Sequence, residues 1–201
     1  GLTIANLASR LGIKCTVIER AKDCCRATAG GGIGLWGPTL SVLDLIPGAK
    51  QDLMQHGSWM PFPSYRDASG KILARATSSF GNRFPVLCLN RDDLLKTLFK
   101  FCHQDEGEHK APITIMNELT VTEYKVVDNG VLVMLSNGNS ISGDILIAAD
   151  GIHSHIRTQL MKELNALPIV PKFLDYTYFR ANVNLQDTED ILWHSSSFEA
   201  W

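Results

Sequence analysis

The 201 residues suffice for one domain and part of a second, and 45% hydrophobic with 20% charged residues is ordinary for a globular protein. A net charge of −2 gives no sign of nucleic-acid binding or of polybasic membrane binding. No apolar run is long enough to cross a bilayer and no signal peptide is recognisable, so we expect a cytoplasmic protein. A membrane anchor outside the given chain stays open.

The cysteine and histidine content indicates neither a disulfide framework nor a metal site. The five cysteines are odd in number and contain no CxxC pair, which favours reduced thiols. The six histidines do not cluster with carboxylates at ligand spacing, so we predict no metal.

The first twenty residues have the pattern of half a βαβ unit. Residues 2–11 carry small and apolar side chains at helical spacing, and Gly12 ends the run. Residues 15–19 form a short apolar, β-branched run that ends in Glu19, which predicts a buried strand. The first strand of such a unit would precede Gly1, so we expect the chain to be incomplete there.

The middle of the chain alternates glycine-rich and helical segments. So many glycines in residues 30–34 predict a loop rather than regular structure. A helix is predicted over 38–45, with Pro38 in its first turn. Short strands are predicted at 71–76 and 86–89, and Asn90 is a candidate N-cap for a helix over 91–103.

From Ile113 the hydrophobic period changes to two. Strands are predicted over 119–127, 131–135 and 140–149, with Asp-Asn-Gly and Ser-Asn-Gly turns between them. Residues 144–149 are apolar throughout, apart from the opening Asp144, which predicts a segment buried on both faces. A further strand is predicted over 177–184, where a second sheet would begin, so we expect the chain to be incomplete at this end too.

Three features carry the chemistry. In a dinucleotide-binding unit, an acid at the end of the second strand binds ribose hydroxyls. Gly1 and Glu19 have the spacing of the last glycine of the turn and this acid. An ordinary surface acid at Glu19 fits the pattern equally well. Arg91 opens a helix and could reach an anionic pyrophosphate, although on this residue alone an exposed helix arginine is the better interpretation. Asp150-Gly151 follows an apolar run, where open α/β sheets bind ligands.

Residues 148–157 (Ala-Ala-Asp-Gly-Ile-His-Ser-His-Ile-Arg) resemble the "DG" motif of the class A, para-hydroxybenzoate-hydroxylase-like flavoprotein monooxygenases. The other pieces follow in the order of that family. Gly1 with Glu19-Arg20 is similar to its dinucleotide turn and ribose-binding acid, and Arg26 with residues 30–34 to the loop that returns along the flavin. The helix that begins at Arg91 is similar to one whose arginine contacts FAD.

The resemblance spans nearly all of residues 1–160 and implies FAD as cofactor, with NADH or NADPH and O₂ as co-substrates. It implies hydroxylation of a small aromatic, often phenolic, substrate. No catalytic acid or base is assigned. The residues that the resemblance assigns to cofactor binding are Gly1, Glu19, Arg20, Gly31, Gly32, Arg91, Asp150 and Gly151.

The fold class that the resemblance implies is α/β: a Rossmann-like FAD-binding domain of the GR2 type, with a three-strand β-meander and the start of a β-sheet substrate domain. The FAD-binding domain would span 1–160, with an excursion into the substrate domain at about 50–90, and the substrate domain would resume over 161–201. The first two glycines of the dinucleotide turn and the family's later Gly-Asp motif are not in these residues. We therefore expect this chain to bind FAD weakly or not at all.

Several alternatives stay open. The family's fold also hosts epoxidases, halogenases and reductases. The chain could be a fragment without its own activity. An NAD-dependent Rossmann dehydrogenase would explain Glu19, but not the meander that leads to Asp150-Gly151.

Overall fold

The computed structural model describes residues 1–23, 31–60, 64–67, 69, 71–75, 86–104, 110–175 and 199–200. The elements in chain order are α1 (Leu2–Arg10), β1 (Cys15–Ile18), β2 (Gly32–Leu35), α2 (Gly37–Asp44), α3 (Ala49–His56), β3 (Ser58–Met60), β4 (Ser64–Arg66), β5 (Ile72–Arg75), β6 (Val86–Asn90), α4 (Arg91–His103), β7 (Ile113–Met116), β8 (Val121–Val127), β9 (Gly130–Leu135), β10 (Ser140–Gly143), α5 (His155–Glu163) and β11 (Glu199–Ala200).

The chain forms two compact units. Unit 1 comprises Gly1–Cys24 and Cys102–Tyr178, and unit 2 comprises Cys25–Phe101 and Phe179–Trp201. The predicted domain boundary at residue 160 stays a prediction, and the predicted strand over 177–184 lies outside the described residues. No helix in the described part of the chain combines the length and apolarity needed to span a membrane.

Unit 1 begins with the predicted helix and strand. α1 ends at Arg10, followed by Gly12 at a φ of 78°. This left-handed conformation suits glycine and stops the helix. β1 pairs in parallel with β7, Cys15 opposite Ile113 and Ile18 opposite Met116. A helix followed by a parallel strand confirms the predicted α/β class at this end of the chain.

The meander of unit 1 also follows the prediction. β8, β9 and β10 form an antiparallel sheet in the order β10-β9-β8. The two predicted turns join them, at residues 128–130 and 136–138. The inward face of this sheet packs on Ile156 of α5 in a cluster of buried side chains, which are Tyr124, Val131, Val133, Leu135 and Ile156.

The prediction of a strand over 140–149 was wrong for the second half of that range. β10 ends at Gly143, and residues 145–150 form no strand. Ile145 is 80% exposed and Ile147 is 55% exposed, so the predicted burial on both faces is also wrong. An apolar run becomes a strand only where a neighbouring strand accepts its hydrogen bonds, and no described strand pairs with it.

Unit 2 contains the sheet β2-β6-β3, in which the outer strands run antiparallel to β6. The prediction that the glycine-rich segment is a loop was wrong for residues 32–34. Gly32 pairs with Asn90 and Gly34 with Cys88. Ladder hydrogen bonds need only backbone, and a side chain at Gly34 would lie 2.9 Å from the Val86 methyl, so glycine permits the close packing. Gly30 lies outside the described residues.

Three helices complete the described core of unit 2. α2 and α4 confirm the helices predicted over 38–45 and 91–103. The third helix, α3, was not predicted, and neither was α5 of unit 1. The fully or almost fully buried apolar side chains of these helices are Leu40, Leu43, Ala49, Leu53, Leu98 and Phe101.

Candidate functional site

Unit 1 brings Gly1 and Glu19 together. The backbone N–H of Glu19 donates to the carbonyl of Met116 at 2.9 Å, which holds the residue beside the end of β7. Burial lowers the pKa of the Gly1 amino group, and the nearby Glu19 carboxylate acts in the opposite direction. Gly1 stands at the start of α1 and Glu19 directly after β1, where the pattern predicts them.

The surroundings of these two residues leave room for a ligand. Oε1 of Glu19 accepts a hydrogen bond from the Ala21 N–H at 2.8 Å, whereas Oε2 has no hydrogen bond to any described residue. A Cβ at Gly1 would meet no atom within 4 Å. The free carboxylate oxygen is an acceptor of the kind that hydroxyl groups use. Arg20, also predicted here, is exposed.

The Asp150-Gly151 turn lies at the start of α5. Oδ2 of Asp150 accepts hydrogen bonds from the backbone N–H groups of His155 at 2.9 Å and Ile156 at 3.5 Å. Gly151 has a φ of 84°, which a residue with a side chain adopts only with strain. The carboxylate therefore caps a helix, with its negative charge at the positive end of the helix dipole.

The same contacts set the charge state of Asp150. Burial acts to raise its pKa, but hydrogen bonds from the Ser154 side chain and from the backbone N–H groups of Ile156 and His155 outweigh burial. The net pKa is below the ordinary value of an aspartate. Asp150 is therefore ionised at neutral pH.

Ser154 and Arg157 also belong to the motif at residues 148–157 and complete the turn, although only Asp150 and Gly151 of that motif were assigned to cofactor binding. Ser154 is 4% exposed, and its hydroxyl accepts the Arg157 N–H at 2.9 Å. The Arg157 guanidinium donates to the carbonyls of Gly151 and Ile152. A serine directly before a run of helix-forming residues was the available signal.

A cavity of about 300 Å³ opens beside this turn. Its wall is mainly apolar, and Asp150 and Arg157 are the charged residues in it. The lining residues are Ala148, Asp150, Gly151, Ser154, Ile156, Arg157 and Leu160.

Unit 2 brings together its three predicted residues, Gly31, Gly32 and Arg91. The Gly31 carbonyl accepts the backbone N–H of Arg91 at 3.0 Å. Gly32 pairs with Asn90, and a Cβ on Gly32 would meet no atom within 4 Å. The Arg91 side chain is exposed at the start of α4. A cationic side chain, an open glycine and a helix start are a combination that suits an anionic or planar ligand.

No protein-family model matches the chain. Curated relatives do: FAD-dependent monooxygenase paxM of Penicillium paxilli is 30% identical over 167 residues, which is 81% of this chain and 33% of that protein. Aurachin C monooxygenase/isomerase of Stigmatella aurantiaca is 28% identical over 184 residues, 90% of this chain and 44% of that enzyme. The chain thus spans between a third and a half of these two relatives.

Solved structures share the fold. A variant of 2-methyl-3-hydroxypyridine-5-carboxylic acid oxygenase superposes with a TM-score of 0.65 at 24% identity, over 80% of this chain and 39% of that one. PqsL of P. aeruginosa, in complex with 2-aminobenzoylacetate, gives 0.65 at 16% identity, over 85% and 44%. The fold and the relatives together define an α/β chain related to flavoprotein oxygenases. The chain is homologous to FAD-dependent monooxygenases, which confirms the resemblance seen in its motifs.

Proposed function

We propose that this chain is the FAD-binding part of a monooxygenase that uses NADH or NADPH and O₂ to hydroxylate a small aromatic or related molecule. The observation that carries the proposal is the helix and parallel strand of unit 1, with Gly1 at the start of α1 and Glu19 directly after β1, in a chain whose relatives are named FAD-dependent monooxygenases. We assign the fold to the Rossmann-like GR2 type. The parallel pairing of β1 with β7 supports that type, because a parallel pair needs a crossover connection.

Each group of residues would have a separate task toward FAD. Glu19 would accept hydrogen bonds from ribose hydroxyls, because its Oε2 is available. The backbone at Gly31 and Gly32 would approach the flavin, since no side chain fills the space above Gly32. Arg91 would supply positive charge toward a phosphate or a flavin oxygen. When bound, FAD supplies the redox chemistry, and the chain supplies binding and orientation.

Asp150 would act differently from the other site residues. Its Oδ2 is already engaged by two backbone N–H groups, so the carboxylate shapes the turn. Gly151 and the cavity beside it then offer backbone and apolar surface to flavin or nicotinamide. We therefore assign Asp150 a positioning role.

The test is a fluorescence titration of FAD with the 201-residue chain. We expect weak but saturable binding, and little flavin retained in the absorbance spectrum after desalting. Glu19→Gln should weaken binding by about tenfold or more, because it removes a charge-assisted hydrogen bond. Glu123→Gln, the same change at an exposed position of β8, is the matched control. Equal affinity of Glu19→Gln and the unchanged chain would contradict the ribose assignment.

A fragment without its own activity is the second candidate, and the limited coverage of the relatives favours it. The assay that separates the two is NADH or NADPH oxidation by the chain with FAD and simple phenols. Oxidation that depends on FAD and on the phenol supports an enzyme. FAD binding without any oxidation supports the fragment.

A further inference from the structure

A closed ring of hydrogen bonds joins β8 to α5 in unit 1. The side-chain amide of Gln159 accepts the backbone N–H of Tyr124 at 3.2 Å and donates to the Tyr124 carbonyl at 2.8 Å. It also donates to Oε1 of Glu163 at 2.7 Å. The Tyr124 hydroxyl donates to Oε2 of the same carboxylate at 2.7 Å, which closes the ring.

Gln159 acts in this ring as a substitute for a neighbouring strand. β8 is an edge strand, because β9 is its one partner in the described sheet. Both backbone groups of Tyr124 are bonded to Gln159, so they point away from β9. Two parallel bonds between amide groups are directional, and they fix the rotation of α5 as well as its distance from the strand.

One stripe of side chains along the length of α5 contacts the meander. Ile156, Gln159 and Glu163 follow the i, i+3, i+7 spacing that places them on one helix face. Ile156 is 8% exposed in the meander core, but an apolar contact alone tolerates rotation and sliding. The two polar contacts remove that freedom. The other end of the same helix receives the Asp150 carboxylate.

We propose that Tyr124, Gln159 and Glu163 are positioning residues, a clamp that sets α5 against the meander and thereby holds the Asp150-Gly151 turn in its capped form. The value of this turn to a cofactor rests on the proposed function. The clamp itself is tested on the turn without any flavin, so failure of one proposal is distinguishable from failure of the other.

The experiment is amide hydrogen exchange of the 201-residue chain, resolved by residue. Gln159→Met removes the amide and keeps a helix-forming side chain of similar length. We expect exchange at the His155 and Ile156 amides to rise by about tenfold, while the amides of residues 131–135 in β9 change by less than about twofold. Lys162→Met places the same side chain on an exposed position of the same helix and should change neither group.

Tyr124→Phe is the second variant, because it keeps the buried ring and removes one bond of the clamp. It should raise exchange at the same two amides, by less than Gln159→Met does. A uniform rise over the turn and β9 in both variants would mean that the residues only stabilise unit 1, and this would overturn the proposal. Unchanged exchange at His155 and Ile156 in both variants would overturn it too.

Discussion

Different residues of the Asp150-Gly151 turn accept hydrogen bonds from different backbone N–H groups at the start of α5. Asp150 satisfies the first two backbone N–H groups of the helix, and Ser154 satisfies the next. The Arg157 guanidinium donates back to the carbonyls of residues 151 and 152, and the Gly151 carbonyl also accepts the backbone N–H of Ser154. Gly151 turns the chain between Asp150 and the helix with a φ of 84°.

Replacing Gly151 by alanine should destabilise the chain by about 1 kcal/mol, because φ is positive there. A Cβ would meet nothing within 4 Å at Gly151, so the cost is conformational and not steric. Gly32→Ala is the matched control, with the same open space and no positive φ, and should change stability by less than about 0.5 kcal/mol. Urea unfolding measures both, and equal effects would contradict the conformational argument.

The capping charge of Asp150 should make stability depend on pH. Its folded pKa is below the unfolded value of about 3.9, so the stabilisation is complete above that value and is lost as pH falls through the folded pKa. Asp150→Asn, which keeps an oxygen acceptor and removes the charge, should cost about 0.5 kcal/mol at pH 7. The difference from the unchanged chain should shrink below about pH 4. A difference that stayed constant from pH 7 to about pH 3 would show that charge has no part in the cap.

At the scale of elements, α3 and α4 of unit 2 are joined by a polar contact that runs from a buried hydroxyl to an exposed ammonium group. Oδ2 of Asp52 accepts the hydroxyl of Thr97 at 2.6 Å, and Oδ1 pairs with the Lys100 ammonium at 2.5 Å. Thr97 is 2% exposed. The contact fixes the helix that begins at Arg91, so it also supports the candidate site of unit 2.

Thr97→Val keeps the shape of the buried side chain and removes its hydroxyl, leaving Oδ2 of Asp52 without that donor. We expect a loss of about 1 kcal/mol in urea unfolding. Lys50→Gln removes the exposed ion pair of Lys50 with Asp44 and should cost less than about 0.5 kcal/mol. If the two variants lost equal stability, burial would not be what gives the α3–α4 contact its strength.

Elements whose signals are local were predictable. α4 begins and ends at the predicted residues, because its apolar stripe is continuous, and the Asp-Asn-Gly and Ser-Asn-Gly turns fixed the meander. Elements that depend on distant partners were not. The glycines of β2 indicate a loop unless their pairing with β6 is known. Residues 144–149 have the pattern of a strand, although no described strand pairs with them.

The candidate site was predictable to the same extent. Glu19 and Arg91 stand where the pattern places them, at the end of a strand and the start of a helix. The role of Asp150 as a helix cap was missed because α5 itself was missed. Its sequence, His-Ile-Arg-Thr-Gln-Leu-Met-Lys-Glu, has few apolar side chains, and part of its face is polar because it carries the clamp.

At the scale of the whole molecule, the larger segment of unit 2 is inserted in the sequence between two paired strands of unit 1. β1 and β7 are parallel neighbours, and residues 25–101 of unit 2 lie between them in sequence. A parallel pair always needs a crossover connection, and a crossover can be as long as a domain without disturbing the pair. Glu19 and Arg91 can therefore belong to one sequence pattern although Glu19 lies in unit 1 and Arg91 in unit 2.

Unit 1 exposes large apolar side chains on both sides of α5 in the sequence. Ile145 and Phe173 are each 80% exposed, and Leu167 is 87% exposed. Exposed apolar surface of this kind binds hydrophobic dyes and promotes association. The 201-residue chain should therefore enhance the fluorescence of such a dye and should associate as its concentration rises.

Replacing Ile145 and Phe173 together by lysine should reduce both the dye fluorescence and the association, while stability changes by less than about 0.5 kcal/mol. Stability is spared because neither side chain is buried in this chain. The control replaces Ser140 and Ser142, which are both exposed, by lysine. This control adds the same positive charge without removing apolar surface, so it separates the effect of charge repulsion from the effect of lost apolar surface. If the serine variants reduced association equally, charge and not apolar exposure would govern it. If the first pair unfolded the chain, these side chains would have to be packed rather than exposed.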